Sequence, residues 1–398
     1  MRQVNGLAAL FPVLAPVLAP VLASALIGCS AADSSTENVG EQASALQVQR
    51  TKLGVSSELM PIDGPFPAGI AASEDLIFTG SPFEGRVVVH DRDTKATVGD
   101  LPPPAGGFVL PFILKSVKGD RVAVLDAGGF PSPKPFIPAN PTIYEYKFRY
   151  RHGAFSAQLV RSIPFTGKLI GFSEDAIQLD DGRYLVNDAV LGSIWIANTD
   201  GSVVPGIVPK TFEPADAIPQ MFYCDTMPQV TVGGLPFLFS ASTIPGITSM
   251  AVIKDTLYFS GSCSGAVYSV PLKVLTDHRQ PWQRAADLRV VSRKPAGVQV
   301  EELLGLVSDD KYLYAADALQ LRVIRIDPKN GKREVVGDDQ HLFNFPSSLA
   351  FAPPGCGERE NTLLTLSNQQ HRTPITNDAV SEDMFEPPFL ATITRLKH

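Results

Sequence analysis

The chain has 398 residues, 44% of them hydrophobic, with 34 prolines, 32 glycines, four cysteines and a formal charge of −7. That acidic balance, with no block of Lys and Arg, excludes a nucleic-acid role, because phosphate binding needs clustered cations. The length would allow two or three average domains, but a closed β-propeller uses as much chain in one unit.

In chain order, the first stretch reads as an address rather than structure. Arg2 precedes the apolar run LAALFPVLAPVLAPVLASALIG, which ends in Leu26-Ile27-Gly28-Cys29. That ending looks like the lipobox of bacterial lipoproteins, in which the Cys thiol is acylated. Residues 1–28 are therefore expected to be a lipoprotein-type signal peptide, and 29–58 a polar, flexible tether. The expected location is outside the cytoplasm, lipid-anchored at a bacterial envelope membrane through Cys29 or secreted. An ordinary secretory peptide is the alternative.

From residue 59 to 398 one pattern recurs. It runs FPAGIAASEDLIFTG-SPFEGRVVVHD, FSEDAIQLDDGRYLVND-AVLGSIWIANTDG, IPGITSMAVIKDTLYFSG-SCSGAVYSVPL and VEELLGLVSDDKYLYAAD-ALQLRVIRIDPKNG. Looser copies begin at LPFILKSVKGDRVAVLDAGG and FPSSLAFAPPGCGERENTLLTLSN. Short strands and turn signals repeating at roughly fifty residues predict an all-β protein, a six-bladed β-propeller with long mouth loops. The chemistry of such a fold sits in those loops, so the pattern says little about function.

In a propeller the innermost strand of each blade runs away from the mouth and the next strand returns to it. The predicted inner-strand starts are Ala68-Gly69, Phe112-Ile113, Glu174-Asp175, Thr248-Ser249, Glu301-Glu302 and Ser347-Ser348. The returning strands are predicted to end at Ser81, Asp126, Asn187-Asp188, Gly261-Ser262, Asp317 and Asn368. Both sets should ring one opening, with carboxylates concentrated on blades three and five.

Three long insertions share that face: GGFPSPKPFIPANP, the stretch TFEPADAIPQMFYCDTMPQVTVGGLPFLFSAST, and NQQHRTPITNDAVSEDMFEPP. Loops of this length are usually functional or disordered. Their aromatic residues suit pocket walls, and Phe130, Phe136, Phe222, Tyr223, Phe237 and Phe239 are candidates, with Asn368 beside them. His371 is the only His placed near the mouth, as a candidate general acid or base or as a solvated loop residue. Asp126, Asp188 and Asp317 hold the same place in their repeats, which also suits a turn-capping Asp.

Three thiols remain beside Cys29. Cys224 and Cys263 are favoured over Cys356 as a disulfide pair, although the sequence does not close that bridge. No GxSxG or HExxH motif occurs, nor any metal-ligating Cys/His spacing.

The phrases DDGRYLVNDAVLGSIW and DDKYLYAADALQLRVIRID resemble the gluconolactonase/regucalcin (senescence marker protein) family of six-bladed propellers. They resemble strictosidine-synthase-like and NHL propellers more loosely. The resemblance covers roughly residues 60–395. It implies a divalent metal, Ca²⁺ or another, on the channel axis, polarising a lactone carbonyl and activating water. The family's ligands are a Glu from the first blade, Asn residues from middle blades and an Asp near the end of the ring. Here the matching positions hold Pro67-Ala68-Gly69, Glu174-Asp175, Thr248-Ser249 and Leu303-Leu304. Glu174 and Glu302, helped by Asp188, are the remaining candidate ligands, with oxygens the donors Ca²⁺ takes. Glu174, Asp175, Glu302 and His371 are the candidate catalytic groups.

Three functions stay open at this point. The first is a metal-assisted hydrolase of a lactone or small ester. The second is a metal-independent propeller enzyme performing cyclisation, isomerisation or condensation in an apolar pocket. The third is a non-catalytic surface lipoprotein that binds a ligand. The expected partner is a small molecule, the membrane being reached only through Cys29, and the chain is expected to be monomeric.

Overall fold

A computed structural model describes residues 49–50, 53–62, 64, 66–117, 119–129, 138–210, 229–238, 246–261, 264–353 and 362–397. Phe130, Phe136, Phe222, Tyr223, Phe239, Cys29, Cys224, Cys263, Cys356 and the signal segment lie outside them.

The chain begins with β1 (Gln49–Arg50) and β2 (Gly54–Ile62). Blade one is β3 (Ala68–Ala72), β4 (Leu76–Ser81), β5 (Arg86–Asp91) and β6 (Thr97–Asp100). Blade two is β7 (Pro111–Val117), β8 (Arg121–Asp126), β9 (Thr142–Arg151) and β10 (Ala154–Pro164). Blade three is β11 (Ala176–Gln178), β12 (Tyr184–Asn187), β13 (Ile194–Ala197) and β14 (Val203–Ile207). A separate hairpin follows, β15 (Val230–Val232) and β16 (Leu235–Phe237). Blade four is β17 (Ile247–Ile253), β18 (Thr256–Gly261), β19 (Val267–Pro271) and β20 (Arg289–Ser292). Blade five is β21 (Leu303–Ser308), β22 (Leu313–Asp317), β23 (Arg322–Ile326) and β24 (Arg333–Gly337). Blade six opens with β25 (Pro346–Ala352), β26 (Thr362–Ser367) and β27 (Phe389–Leu396).

These six antiparallel sheets form a six-bladed β-propeller, the architecture read from the repeat. Blade six is completed by the other end of the chain: β2 pairs with β27 from Gly54↔Leu396 to Ile62↔Phe389. Eight paired positions of β2 thereby close the ring by supplying the fourth strand of blade six. The closing strand starts at Gly54, four residues earlier than the tether boundary at 58. It starts on the face opposite the mouth, because Gly54 lies beside the far end of β27.

Apolar side chains fill the spaces between blades. Leu185, Ile194, Ile196 and Ile207 of blade three interleave with Met250, Leu257, Phe259 and Val270 of blade four. Each fully buried side chain of this size contributes about 1.5–3 kcal/mol. Near the axis the strands converge and only small residues fit. A Cβ on Gly80 would stand 2.2 Å from the Ala68 carbonyl oxygen and 2.8 Å from that of Pro111, so glycine is required where blade one meets blade two.

Candidate functional site

A small cavity of about 30 Å³, open to solvent, lies at the mouth of the axial channel. Its lining includes Ala68-Gly69, Phe112, Glu174-Asp175, Thr248-Ser249 and Ser347-Ser348, the starts of five inner strands as the sequence placed them. Asn368 also lines it, together with Gln370 and Lys115.

Blade five departs from the pattern. Leu304 and Gly305 face the cavity where Glu301-Glu302 were expected. In blades one, two, four and six the ladder bulges at its first step, between Ala68/Ile70, Pro111/Ile113, Ile247/Ser249 and Pro346/Ser348. In blade five the bulge comes later, between Leu304 and Val307. Gly305 there takes φ +57, a left-handed backbone that suits glycine. The delay puts Glu301 and Glu302 behind the wall, 0% and 3% exposed.

Blade three supplies the charged chemistry. Its inner strand starts at Ala176, and the N–H groups of Glu174 and Asp175 both donate to Asn187 Oδ1, at 3.0 and 2.7 Å. Asn187 Nδ2 in turn donates to the Ile247 carbonyl of blade four. One buried amide thus holds two consecutive carboxyl-bearing residues in place. Asp175 accepts from the N–H of Ala176 (2.9 Å) and of Met250 (2.7 Å), and pairs with Lys115 Nζ at 2.8 Å. Burial raises its carboxyl, and Lys115 opposes the rise.

Glu174 is different. Its Oε2 is buried without a hydrogen-bond partner among the described residues, although the residue lines the cavity and is partly reached by solvent. Desolvation pushes its carboxyl well above the usual range, and the charges of Glu302 and Asp175 push it further. Glu302 likewise has a buried Oε2 with no partner among the described residues, and is raised to about 8 by burial and then by Asp317. The neighbouring carboxylates have cations: Glu301 pairs with Arg333, and Asp317 with Arg322 at 2.7 Å. Among the described residues Glu174 and Glu302 have none, so burial favours the protonated form of both.

Asp188 is occupied by the fold. Its Oδ1 accepts N–H bonds from Gly171, Phe172, Val190 and Leu191 at 3.0–3.5 Å, and its Oδ2 accepts from Ser193 Oγ at 3.1 Å. Asp126 does the same for Val109, Leu110 and Gly128. These are turn-holding carboxylates, the structural alternative the repeat had raised. His371 does not line the cavity; it is 0% exposed and stacks on Phe345 at 5.4 Å and 15°. Desolvation, helped by Arg372, pushes its imidazole down to about 3, so it is neutral and out of reach.

The donor set does not fit a divalent cation. Among the described residues no three His, Cys, Asp or Glu side chains are grouped as a metal requires. Asp188 and Asp175 already carry full sets of partners. The Thr248 and Ser249 hydroxyls are turned onto the Leu303 carbonyl, each at 3.2 Å. The Lys115 ammonium shares the cavity and would repel a cation. Lys115 is a charged site residue that the sequence did not single out. The available signal for Lys115 was an ionic residue within an innermost strand, where burial demands a partner.

No family model matches the chain, and no curated protein matches it by sequence. Solved structures share the fold. A luciferin-regenerating enzyme superposes with a TM-score of 0.51 at 11% identity, over 86% of this chain and 97% of that one. A gluconolactonase from Xanthomonas campestris gives 0.48 at 13%, over 86% and 90%. A calcium-binding regucalcin from Agrobacterium tumefaciens gives 0.49 at 14%, over 85% and 93%. At these identities the likeness is one of fold, and the chemistry rests on this chain's own residues.

Proposed function

We propose that this protein hydrolyses a lactone or small ester at the channel mouth without a metal, using Glu174 and Lys115. The observation that carries the reading is Glu174 itself: a carboxyl whose buried Oε2 has no partner among the described residues, in a solvent-reached cavity whose lining also holds the Lys115 ammonium fixed by Asp175. A neutral acid there can protonate a leaving oxygen as the carbon–oxygen bond breaks. Lys115 faces the negative charge that develops on the carbonyl oxygen when water adds. The proton released by the attacking water returns to the Glu174 carboxylate, so one ester and one water give one acid and one alcohol. The lining carries the polar side chains of Thr248, Ser249, Ser347, Ser348, Asn368 and Gln370 beside an apolar share from Ala68, Phe112 and Leu304, and the mouth is open to solvent. That supports hydrolysis over a cyclisation in a dry apolar pocket.

The test is a panel of lactones and small esters assayed with wild type and Glu174→Gln, with and without chelator. Hydrolysis lost by about a hundredfold or more in the variant, and indifferent to chelator, supports the reading. Activity restored only by added Ca²⁺ would return the metal-assisted mechanism. The segment ending in Leu26-Ile27-Gly28-Cys29 supports export and lipid anchoring of this enzyme, which incorporation of labelled acyl chains at Cys29 would test.

A further inference from the structure

Two insertions on the mouth face are locked together by one side chain. Hairpin β15–β16 turns at Gly233 and Gly234, both left-handed at φ +56 and +82. Its Phe237 packs on Phe345 at 5.9 Å between ring centroids. Asn377, in the blade-six insertion and 0% exposed, reaches over to it. The Asn377 Oδ1 accepts from the N–H groups of Leu238 (2.9 Å) and Ala379 (3.0 Å). Its Nδ2 donates to the carbonyls of Pro236 (3.0 Å) and His371 (2.7 Å). The Asp378 N–H adds a bond to the Leu238 carbonyl at 2.8 Å.

Beneath this clasp lies the His371 ring, flat on Phe345, with neither nitrogen hydrogen-bonded to a described residue. A Cβ on Gly233 would stand 3.4 Å from its Nε2, so the hairpin turn seals the other side. The surrounding elements offer an imidazolium little. Hairpin residues 229–238 and the blade-five loop 318–321 contain no ionisable side chain. Asp317, before that loop, pairs with Arg322. The segment leading to Phe345 carries Asp338, Asp339 and an exposed His341, and the insertion itself carries Asp378, Glu382 and Asp383, exposed on its surface. The adjacent Arg372 is a cation, paired with Glu386 at 2.8 Å.

We propose that the two insertions form an acid-released latch on the channel rim, with His371 as its sensor. A neutral ring fits the slot. A proton on it would place a buried charge beside Arg372 with no acceptor among the described residues, so the ring must leave Phe345 to be protonated. Leaving pulls the His371 carbonyl from Asn377 and loosens both insertions. Asn368 and Gln370, at the root of the same insertion, line the cavity, so release alters its wall. The folded-state pKa is depressed to about 3, hence the latch is fully favoured above the ordinary His value near 6.5. Below that value its stability falls, and the open fraction rises about tenfold per pH unit until the folded value is reached.

The experiment is hydrogen–deuterium exchange on the full chain, reading residues 229–238 and 368–388 at neutral pH and near pH 4.5, corrected for intrinsic rates. Protection in both segments should fall together by about tenfold or more in wild type at the lower pH. His371→Phe, which can occupy the same slot without taking a proton, should keep protection at both pH values; His371→Leu serves if that variant does not fold. Asn377→Ala should open both segments at neutral pH. Equal wild-type protection at the two pH values, or equal acid loss in the His371 variants, overturns the proposal.

Discussion

Lys115 of blade two and Asp175 of blade three meet across the seam between their blades, with Nζ and Oδ1 2.8 Å apart. The pair is at once an inter-blade tie and the charged element of the cavity. Asp175 is 2% exposed, so it depends on its partner more than the 22%-exposed lysine does. Lys115→Met should therefore destabilise the protein by about 3 kcal/mol, because it leaves a buried carboxylate without its cation. Adding Asp175→Asn should restore part of that loss. Urea denaturation of both variants checks it, and additive losses would contradict the pairing argument.

Glu302 gives a stability dependence of definite sign. Its carboxyl is raised to about 8 by burial and Asp317, against about 4.3 in an unfolded chain. The protonated form is thus the one that folding favours. Wild type loses stability as pH climbs between those two values, and is flat above them. Glu302→Gln removes the ionisation, so its advantage over wild type should grow by at least about 1 kcal/mol between pH 5 and pH 9. Denaturation at the two pH values measures this, and a constant difference would refute it.

Gly305 should be intolerant of a side chain. It combines φ +57 with a hypothetical Cβ only 2.7 Å from the Leu349 nitrogen and 2.9 Å from the Ser348 Cα. Both neighbours are backbone atoms of blade six and cannot swing aside. Gly305→Ala should cost about 1–3 kcal/mol and lower Tm. Because Ser348 lines the cavity, the same change should raise KM for the proposed substrate.

Metal should be dispensable. With Asp175 and Asp188 satisfied by other partners and Lys115 in the cavity, Ca²⁺ titrated by calorimetry should give no binding at the mouth. Chelator should leave Tm unchanged. A site-specific heat lost in Glu174→Gln would contradict that.

The ring was legible in the sequence because each blade repeats one strand–turn grammar, and five of six inner-strand starts fell where that grammar placed them. What the repeat could not show was a shift within it. The blade-five bulge sits at Gly305 instead of one step from the strand start, and this hides Glu302 behind Leu304. Aligning DDKYLYAAD with its counterparts gives no hint of where the preceding strand bulges. Asp188 was ambiguous for a related reason: a capping carboxylate and a ligand carboxylate look alike until their N–H partners are counted. Lys115 went unnoticed because its value depends on Asp175, sixty residues later and one blade over. His371 was placed on the correct face, but its burial depends on the hairpin at 230–237, which belongs to another insertion.

The central claim is that Glu174 carries a proton at neutral pH and that this proton does the chemistry. Infrared difference spectroscopy between wild type and Glu174→Gln at neutral pH reads that proton directly. A protonated-carboxyl C=O band should be present in wild type, absent from the variant and unaffected by Ca²⁺. A carboxylate band assigned to Glu174, or one that shifts on adding Ca²⁺, would contradict it.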